Sequence, residues 1–159
     1  MVLVSTWYTR PHFGVAEDSS GSARSCGGIA VILKRITEGP GVLKLTSPLS
    51  QAVVADGKFV FLSGQIGKHP VTGAVPEDFL GQARQALENL RAVLKVAGAE
   101  LNDVVRVLVF VTDSTHGQAF NSLYRQYFGD EFPTRTRVQV AALSPGLQIE
   151  IEAIAVLPS

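Results

Sequence analysis

The last quarter of the sequence places charged side chains on segments that otherwise have the pattern of buried strands. Arg135 and Arg137 lie two residues apart in one such segment, and Glu150 and Glu152 lie two apart in the next. Because side chains alternate across a strand, each pair points to one face. An unpaired charge in apolar surroundings costs roughly several kcal/mol, so these residues need partners.

Two interpretations of these charges are open. In the first, the arginines and glutamates form ordinary ion pairs across neighbouring strands, which contribute little to stability. In the second, an arginine binds a small carboxylate through two parallel N–H donors, while a glutamate nearby holds a water molecule or transfers a proton. The spacing of the residues is compatible with both.

Other polar residues give weaker signals. Ser63 and Gly64 follow an apolar run and could offer backbone donors to a ligand, although a turn that ends the strand explains them as well. Asn121 falls in the stripe region of a helix, where it is either exposed or hydrogen-bonded to a loop. The three histidines have neither metal-ligand spacing nor a nucleophile arranged beside them, so the sequence predicts no metal site.

Periodicity predicts the elements that must position these residues, and their order favours a two-layer α+β domain with both helices on one face of the sheet. The fourth predicted element, a strand over Asp103–Thr112, is apolar on both faces, which indicates a central strand. In order, the predicted elements are a β-hairpin of Ala52–Ala55 and Lys58–Ser63 around Asp56-Gly57, a helix from Phe79 to Ala97, a strand over Asp103–Thr112, a helix from a Ser114 cap to Gly129, and strands over Thr134–Ala142 and Leu147–Leu157.

The predicted helices leave the other face of the sheet uncovered. The central strand and the final strand are nevertheless apolar on both sides, so that face needs a cover. A second copy of the chain is the simplest cover, and the sequence therefore predicts a homo-oligomer.

Composition bounds the class of protein. The 159 residues suit one domain, and 46% hydrophobic with 18% charged residues is a globular composition. Fourteen basic and fourteen acidic residues balance, and no basic run is present, which argues against nucleic acid as the partner. Cys26 is the only cysteine, which excludes an intrachain disulfide and a thiolate metal cluster and favours a cytoplasmic location.

The chain divides at about residue 40. Residues 1–40 are an N-terminal extension that is loop-like apart from one predicted strand, Ile29–Leu33, and residues 41–159 form the domain proper. The apolar run in the extension is far shorter than a membrane-spanning helix requires. Its arginines and serines are also compatible with an organellar transit segment, which is the alternative to the cytoplasm.

From about Ser47 to Leu157 the sequence resembles the RidA family, also called the YjgF family. The strongest signature is the closing pair of segments described first. The other segments that carry the resemblance are Ser47-Pro48-Leu49-Ser50-Gln51-Ala52-Val53, Phe61-Leu62-Ser63-Gly64-Gln65-Ile66 and Gln82-Ala83-Arg84-Gln85-Ala86-Leu87-Glu88-Asn89-Leu90.

The resemblance implies a chorismate-mutase-like α+β fold, a homotrimer with ligand sites in clefts between subunits, and hydrolysis of reactive enamines and imines such as 2-aminoacrylate without a cofactor. By position, Arg135 matches the family arginine that binds the substrate carboxylate, and Glu150 matches the glutamate that helps to hold the attacking water. The substrate contacts that the resemblance implies are Arg135, Arg137, Ser63, Gly64, Asn121 and Leu49.

Two departures from the family pattern bear on substrate preference. Leu49 stands where the family commonly has a tyrosine, and Arg137 stands where its enzymatic members often have a cysteine. A second cation near the site could favour a dicarboxylate or compete for Glu150. Two alternatives to the deaminase remain, a non-catalytic trimer that binds small carboxylates and the endoribonuclease or translation inhibitor that some relatives are called.

Overall fold

The computed structural model of this protein describes residues 33–43 and 45–159. These residues form an α+β fold with two helices and two sheets. The predicted strand over Ile29–Leu33 lies outside the described residues except for Leu33. The elements are β1 (Leu33–Ile36), β2 (Ala52–Ala55), β3 (Lys58–Ile66), α1 (Phe79–Val96), β4 (Val104–Val111), α2 (Gly117–Phe128), β5 (Thr134–Gln139) and β6 (Ile149–Leu157).

The main sheet has four strands in the order β3-β6-β4-β5. β4 is parallel to β5 and antiparallel to β6, and β6 is antiparallel to β3. The prediction of a central strand over Asp103–Thr112 is confirmed, because β4 has a neighbour on each side. A separate antiparallel ribbon of β1 and β2 lies beside this sheet, and Ser50 joins it to Thr134 through an isolated bridge.

The predicted hairpin between the second and third strands is wrong. β2 pairs with β1, and β3 pairs with β6, so Asp56-Gly57 connects two different sheets. A type I′ hairpin turn needs a positive φ at both central residues. Gly57 has a φ of 147°, but no described residue other than glycine has a positive φ. The backbone at Gly57 instead packs closely against Leu157 at the end of β6.

α1 follows its sequence signals closely. The Asp78 side chain accepts a hydrogen bond from the Gly81 N–H at 2.8 Å and caps the first turn, and Gly98 takes a φ of 79° just after the last turn. Its apolar stripe is buried against the sheet. Gln82 is also buried, and its side-chain amide bonds to the carbonyl oxygens of Pro76 and Gly146 and to the Gln148 N–H.

The second helix begins later than predicted. Ser114 does not cap it, because residues Ser114–His116 form a 3-10 turn and α2 starts at Gly117. The Asp113 carboxylate caps that turn by accepting from the Thr115 N–H at 2.8 Å. The predicted C-terminal glycine is correct, since Gly129 follows the last residue of α2 and has a φ of 58°.

Both helices pack on one face of the main sheet, which we call the helix-covered face. Val107 and Val109 of β4 and Ile151 and Ala153 of β6 lie on it, in one buried cluster with the apolar residues of α1 and α2. The opposite face, which we call the open face, has no helix among the described residues. Phe61 there is 75% exposed, as the prediction of an uncovered face requires.

Candidate functional site

The site residues predicted from the sequence fall into two groups on opposite faces of the sheet. Arg135 and Arg137 pair in register with Val107 and Val109, so both arginines lie on the helix-covered face. Glu150 and Glu152 pair with residues of β4 that point the other way, to the open face. The helix-covered group is Arg135, Arg137 and Asn121, and the open-face group is Glu150, Ser63 and Gly64.

Topology removes one of the two interpretations of these charges. The arginines are on β5 and the glutamates on β6, and β4 lies between the two strands. Two strand spacings separate β5 from β6 by about 10 Å, and the side chains leave from opposite faces. Cross-strand ion pairs between these arginines and glutamates are therefore absent within one subunit, and Arg135 and Glu150 do not converge there.

Arg135 lies in a slot between β5 and α2. Its guanidinium carbon is 4.7 Å from the ring centroid of Tyr124 and 5.7 Å from that of Phe120, both on α2. Its Nη2 donates to the Asn121 side-chain oxygen at 2.7 Å. The two rings restrict the guanidinium through cation–π contacts, and the amide restricts it through a charge-assisted hydrogen bond.

The other terminal nitrogen of Arg135 is buried and has no hydrogen-bond partner among the described residues. Burial lowers the pKa of Arg135, and the nearby Arg137 and Arg125 lower it further, whereas Tyr124 opposes the shift. None of the ion pairs among the described residues includes Arg135. A desolvated guanidinium with an unused donor is a site at which an anion would replace lost hydration.

The Asn121 side chain thus lies beside Arg135 and holds its guanidinium. Tyr124 and Phe120 complete the slot, although their sequence pattern indicated only core residues. Both are fully buried, and burial raises the pKa of Tyr124, so its hydroxyl stays protonated. Within residues 33–43 and 45–159, the Tyr124 hydroxyl, like Nη1 of Arg135, has no hydrogen-bond partner.

Arg137 lies at the start of α2. Its Nη1 donates to the Ser114 carbonyl oxygen at 3.0 Å, and its guanidinium lies so close to the Cα of Gly117 that a β-carbon there would displace it. Gly117 has an ordinary helical φ of −57°, so the need for glycine is one of space.

Glu150 occupies the open face next to Gly64. A β-carbon at Gly64 would overlap the Glu150 carboxylate, with Cδ at 2.6 Å and Cγ at 2.8 Å. Gly64 lies where the pairing of β3 with β6 shifts register between Leu62 and Gln65. The bulge and the missing side chain together let the carboxylate lie against the backbone of β3.

A depression of about 310 Å³ opens on the same face, and Glu150 is not among the residues that line it. Ser63 lines it, with Arg106 and Glu152 as its charged residues and Phe61 as its aromatic one. It does not include Arg135 or Arg137, so a single subunit offers two separate surfaces rather than one complete cleft.

Leu49 lies in the segment that leads into β2 and is partly buried. The neighbouring Ser50 ties this segment to the start of β5, since its N–H donates to the Pro133 carbonyl at 3.0 Å and its hydroxyl donates to the Phe132 carbonyl. The Leu49 side chain makes no polar contribution.

Within the described part of the chain, no group of three or more histidine, cysteine, aspartate or glutamate residues is placed to hold a metal ion. No helix in that part is long and apolar enough to cross a membrane.

A family model described as Endoribonuclease L-PSP matches residues 42–157. The chain belongs to the YjgF/RidA family. A 2-iminobutanoate/2-iminopropanoate deaminase from Capra hircus is 40% identical over 126 residues, which are 79% of this chain and 91% of the goat protein.

Solved structures of RidA relatives share the fold. Escherichia coli TdcF with bound serine is 40% identical with a TM-score of 0.61, and the similarity covers 78% of this chain and 99% of TdcF. RidA from an Antarctic Psychrobacter is 35% identical with a TM-score of 0.62, over 78% of this chain and all of that protein. The small α+β architecture predicted from the sequence is thus confirmed.

Proposed function

We propose that this RidA-family protein hydrolyses 2-imino acids, and the 2-enamino acids that tautomerise to them, to 2-oxo acids and ammonia. The observation that carries the proposal is Arg135, a guanidinium clamped by Asn121 and two aromatic rings with one buried nitrogen left unpaired. Relatives of 40% identity that are named for this deamination support it.

Arg135 would bind the substrate carboxylate and thereby fix the carbon of the C=N bond. Water adds to that carbon, so a C–O bond forms and a water proton passes to nitrogen. The hydroxyl proton of this adduct then passes to nitrogen, directly or through the water and carboxylate, the C–N bond breaks, ammonia leaves with the bonding electrons, and the oxygen becomes the carbonyl of the 2-oxo acid. A protonated imine is already electrophilic, so orientation and modest acid-base help suffice.

Glu150 would hold that water and relay its proton, but only from a second subunit. Within one chain it lies on the face opposite Arg135, with β4 between the two strands. We therefore place each reaction centre in a cleft between subunits, where Arg135 of one chain meets Glu150 of the next. A homotrimer fits this arrangement, and the exposed open face, with Phe59 and Phe61, supplies an apolar surface for association.

A second candidate function follows from the same geometry. The anion site around Arg135 is formed within one subunit, whereas Glu150 of that subunit lies on the other face of the sheet. Carboxylates could therefore bind at Arg135 without turnover. The protein would then be a trimeric carboxylate-binding regulator. Turnover measurements separate the two candidates, because a binding protein would not accelerate hydrolysis above the rate in buffer.

The test of the deaminase is release of 2-oxo acid and ammonia from 2-aminoacrylate that a second enzyme generates in the same cuvette. We expect acceleration by the intact protein and loss of at least tenfold, roughly, for Arg135→Ala and for Glu150→Gln, since each removes a charged contact to the reacting species. Arg91→Ala is the matched control, because Arg91 is exposed on α1 and its ion pair in the described part of the chain is with Glu88.

Two results would contradict the deaminase proposal. One is a rate no higher than buffer with imines of several amino acids. The other is equal activity in Arg135→Ala and Arg91→Ala protein with matched circular dichroism. Light scattering in the same preparations checks the trimer, which requires a mass of about three chains of 17.0 kDa. RNA cleavage is assayed in parallel, and the balanced charge of the chain leads us to expect none.

A further inference from the structure

Arg135 and Arg137 present two cationic groups side by side on the helix-covered face. We propose that Arg137 is a specificity residue that binds a second carboxylate, so that the ligands of this site are four- and five-carbon 2-imino dicarboxylic acids, the imines of acidic amino acids. That the ligand is an imine rests on the proposed function. That it carries two carboxylates rests on the structure of the site.

The spacing of the two arginines suits a dianion. Residues two apart on a strand have Cα atoms about 6.6 Å apart, and both side chains leave from the same face. A ligand with a carboxylate at each end of a short chain can therefore contact both guanidinium groups at once. A 2-imino monocarboxylate uses Arg135 and leaves Arg137 without an anion.

The surroundings of Arg137 add positive potential. Its guanidinium lies over Gly117, the first residue of α2, where the helix dipole is positive, and the Gly117 N–H itself donates to the Ser114 carbonyl oxygen. Its only hydrogen bond within the described chain is the one from Nη1 to the Ser114 carbonyl. A guanidinium has five N–H donors, so most of them remain for a ligand.

No carboxylate of the described residues neutralises this pair. The ion pairs of that part of the chain join Arg35 to Glu131, Arg91 to Glu88 and His116 to Asp113, and none involves the two arginines of the site. Like-charge proximity is visible in Arg135 itself, whose pKa Arg137 helps to lower. Two uncompensated cations attract a ligand of charge −2 more strongly than one of charge −1.

Gly117 leaves the space in which the Arg137 guanidinium lies. Any side chain at this helical position would displace the Arg137 guanidinium, so the sequence leaves room for the arginine at the head of α2. Ser114 fixes the same group from the preceding turn. The arginine is thus positioned from two sides and is not an extended surface side chain.

The experiment measures binding rather than turnover, with stable 2-oxo acids as probes. Isothermal titration in an uncharged or cationic buffer compares 2-oxoglutarate with 2-oxobutanoate on the assembled full chain. We expect the dicarboxylate to bind about tenfold more tightly or better, because it gains charge-assisted hydrogen bonds. Arg137→Gln should weaken 2-oxoglutarate to about the level of 2-oxobutanoate and should weaken 2-oxobutanoate much less, because only the dicarboxylate loses a direct contact, while Arg91→Ala should keep the preference.

Equal affinities for the two probes, or a preference that survives Arg137→Gln, would overturn the inference, as would absence of binding by both at millimolar concentration. The deaminase proposal fails on a different readout. If the dicarboxylate preference is present but no imine is hydrolysed faster than in buffer, the enzyme proposal is wrong and the ligand class stands. If monocarboxylate imines are hydrolysed and the protein does not prefer the dicarboxylate, the enzyme proposal stands and the inference about the ligand class is wrong.

Discussion

Two inactive variants of this protein should restore each other. In the proposed mechanism, Arg135→Ala removes the group that binds the substrate carboxylate and Glu150→Ala removes the group that holds the water, so each variant alone should be inactive. If a cleft takes its arginine from one subunit and its glutamate from the neighbour, a mixed oligomer contains clefts in which both residues are intact. Because Arg135 and Glu150 lie on opposite faces of the sheet within one subunit, the proposed intersubunit cleft predicts this result.

The magnitude follows from counting. With equal amounts and random assembly, the arginine side of a cleft is intact in half of the cases and the glutamate side in half. About a quarter of the clefts are then complete, so turnover per chain should recover to about a quarter of the wild-type value, whatever the size of the closed ring. The assay is deamination of 2-aminoacrylate after joint refolding of the two variants.

Two controls make this result decisive. Native mass spectrometry with one variant isotope-labelled shows whether mixed oligomers form. Mixing Arg135→Ala with the double variant should restore nothing, because no subunit then carries the arginine. If mixed oligomers form and turnover stays at the level of each variant alone, Arg135 and Glu150 do not act across an interface and the assignment of the cleft is refuted.

Two further predictions concern individual positions. Gly64→Ala should reduce turnover about as much as loss of Glu150, because the new methyl group occupies the place of the carboxylate; binding of 2-oxo acids at Arg135 should persist, and full activity with an unchanged melting temperature would contradict this. Tyr124→Phe should leave the free energy of unfolding unchanged or raise it by about 1 kcal/mol, because the buried hydroxyl has no partner. Burial raises the pKa of Tyr124 in the folded protein. The free energy of unfolding is therefore unaffected by ionisation of this hydroxyl below pH ~10, the unfolded pKa, and falls as pH rises above it, because the unfolded chain ionises first. Chemical denaturation at pH 8 and pH 10.5 should show that the variant loses less free energy of unfolding between these pH values than the wild type does. An equal loss would show that Tyr124 does not cause the decline.

Local signals predicted the helices and the central strand well. α1 has an apolar stripe, an aspartate cap and a glycine stop within one continuous segment, so nothing distant was needed to place it. β4 was identified as central because it is apolar on both faces. The predicted hairpin failed because Asp56-Gly57 is a local turn signal, whereas pairing depends on distant partners, here β1 and β6.

The site shows the same division. The sequence predicted Arg135 and Glu150 as site residues, and strand alternation correctly placed the side chains of Arg135 and Arg137 on one face of the sheet. It did not fix which face each strand turned inward, because register is not local information. The aromatic slot was missed for the same reason, although β4, α2 and β5 form a strand-helix-strand unit whose parallel strands place the helix above both.

The slot around Arg135 also affects how binding would proceed. An arginine on an open surface samples many rotamers, and ordering such a side chain on binding costs about 0.5–1.5 kcal/mol. Here Tyr124, Phe120 and Asn121 already hold the guanidinium, so that loss of entropy occurs when the chain folds. A small anion would meet a rigid receptor, and its association should be a single fast step without a slower rearrangement.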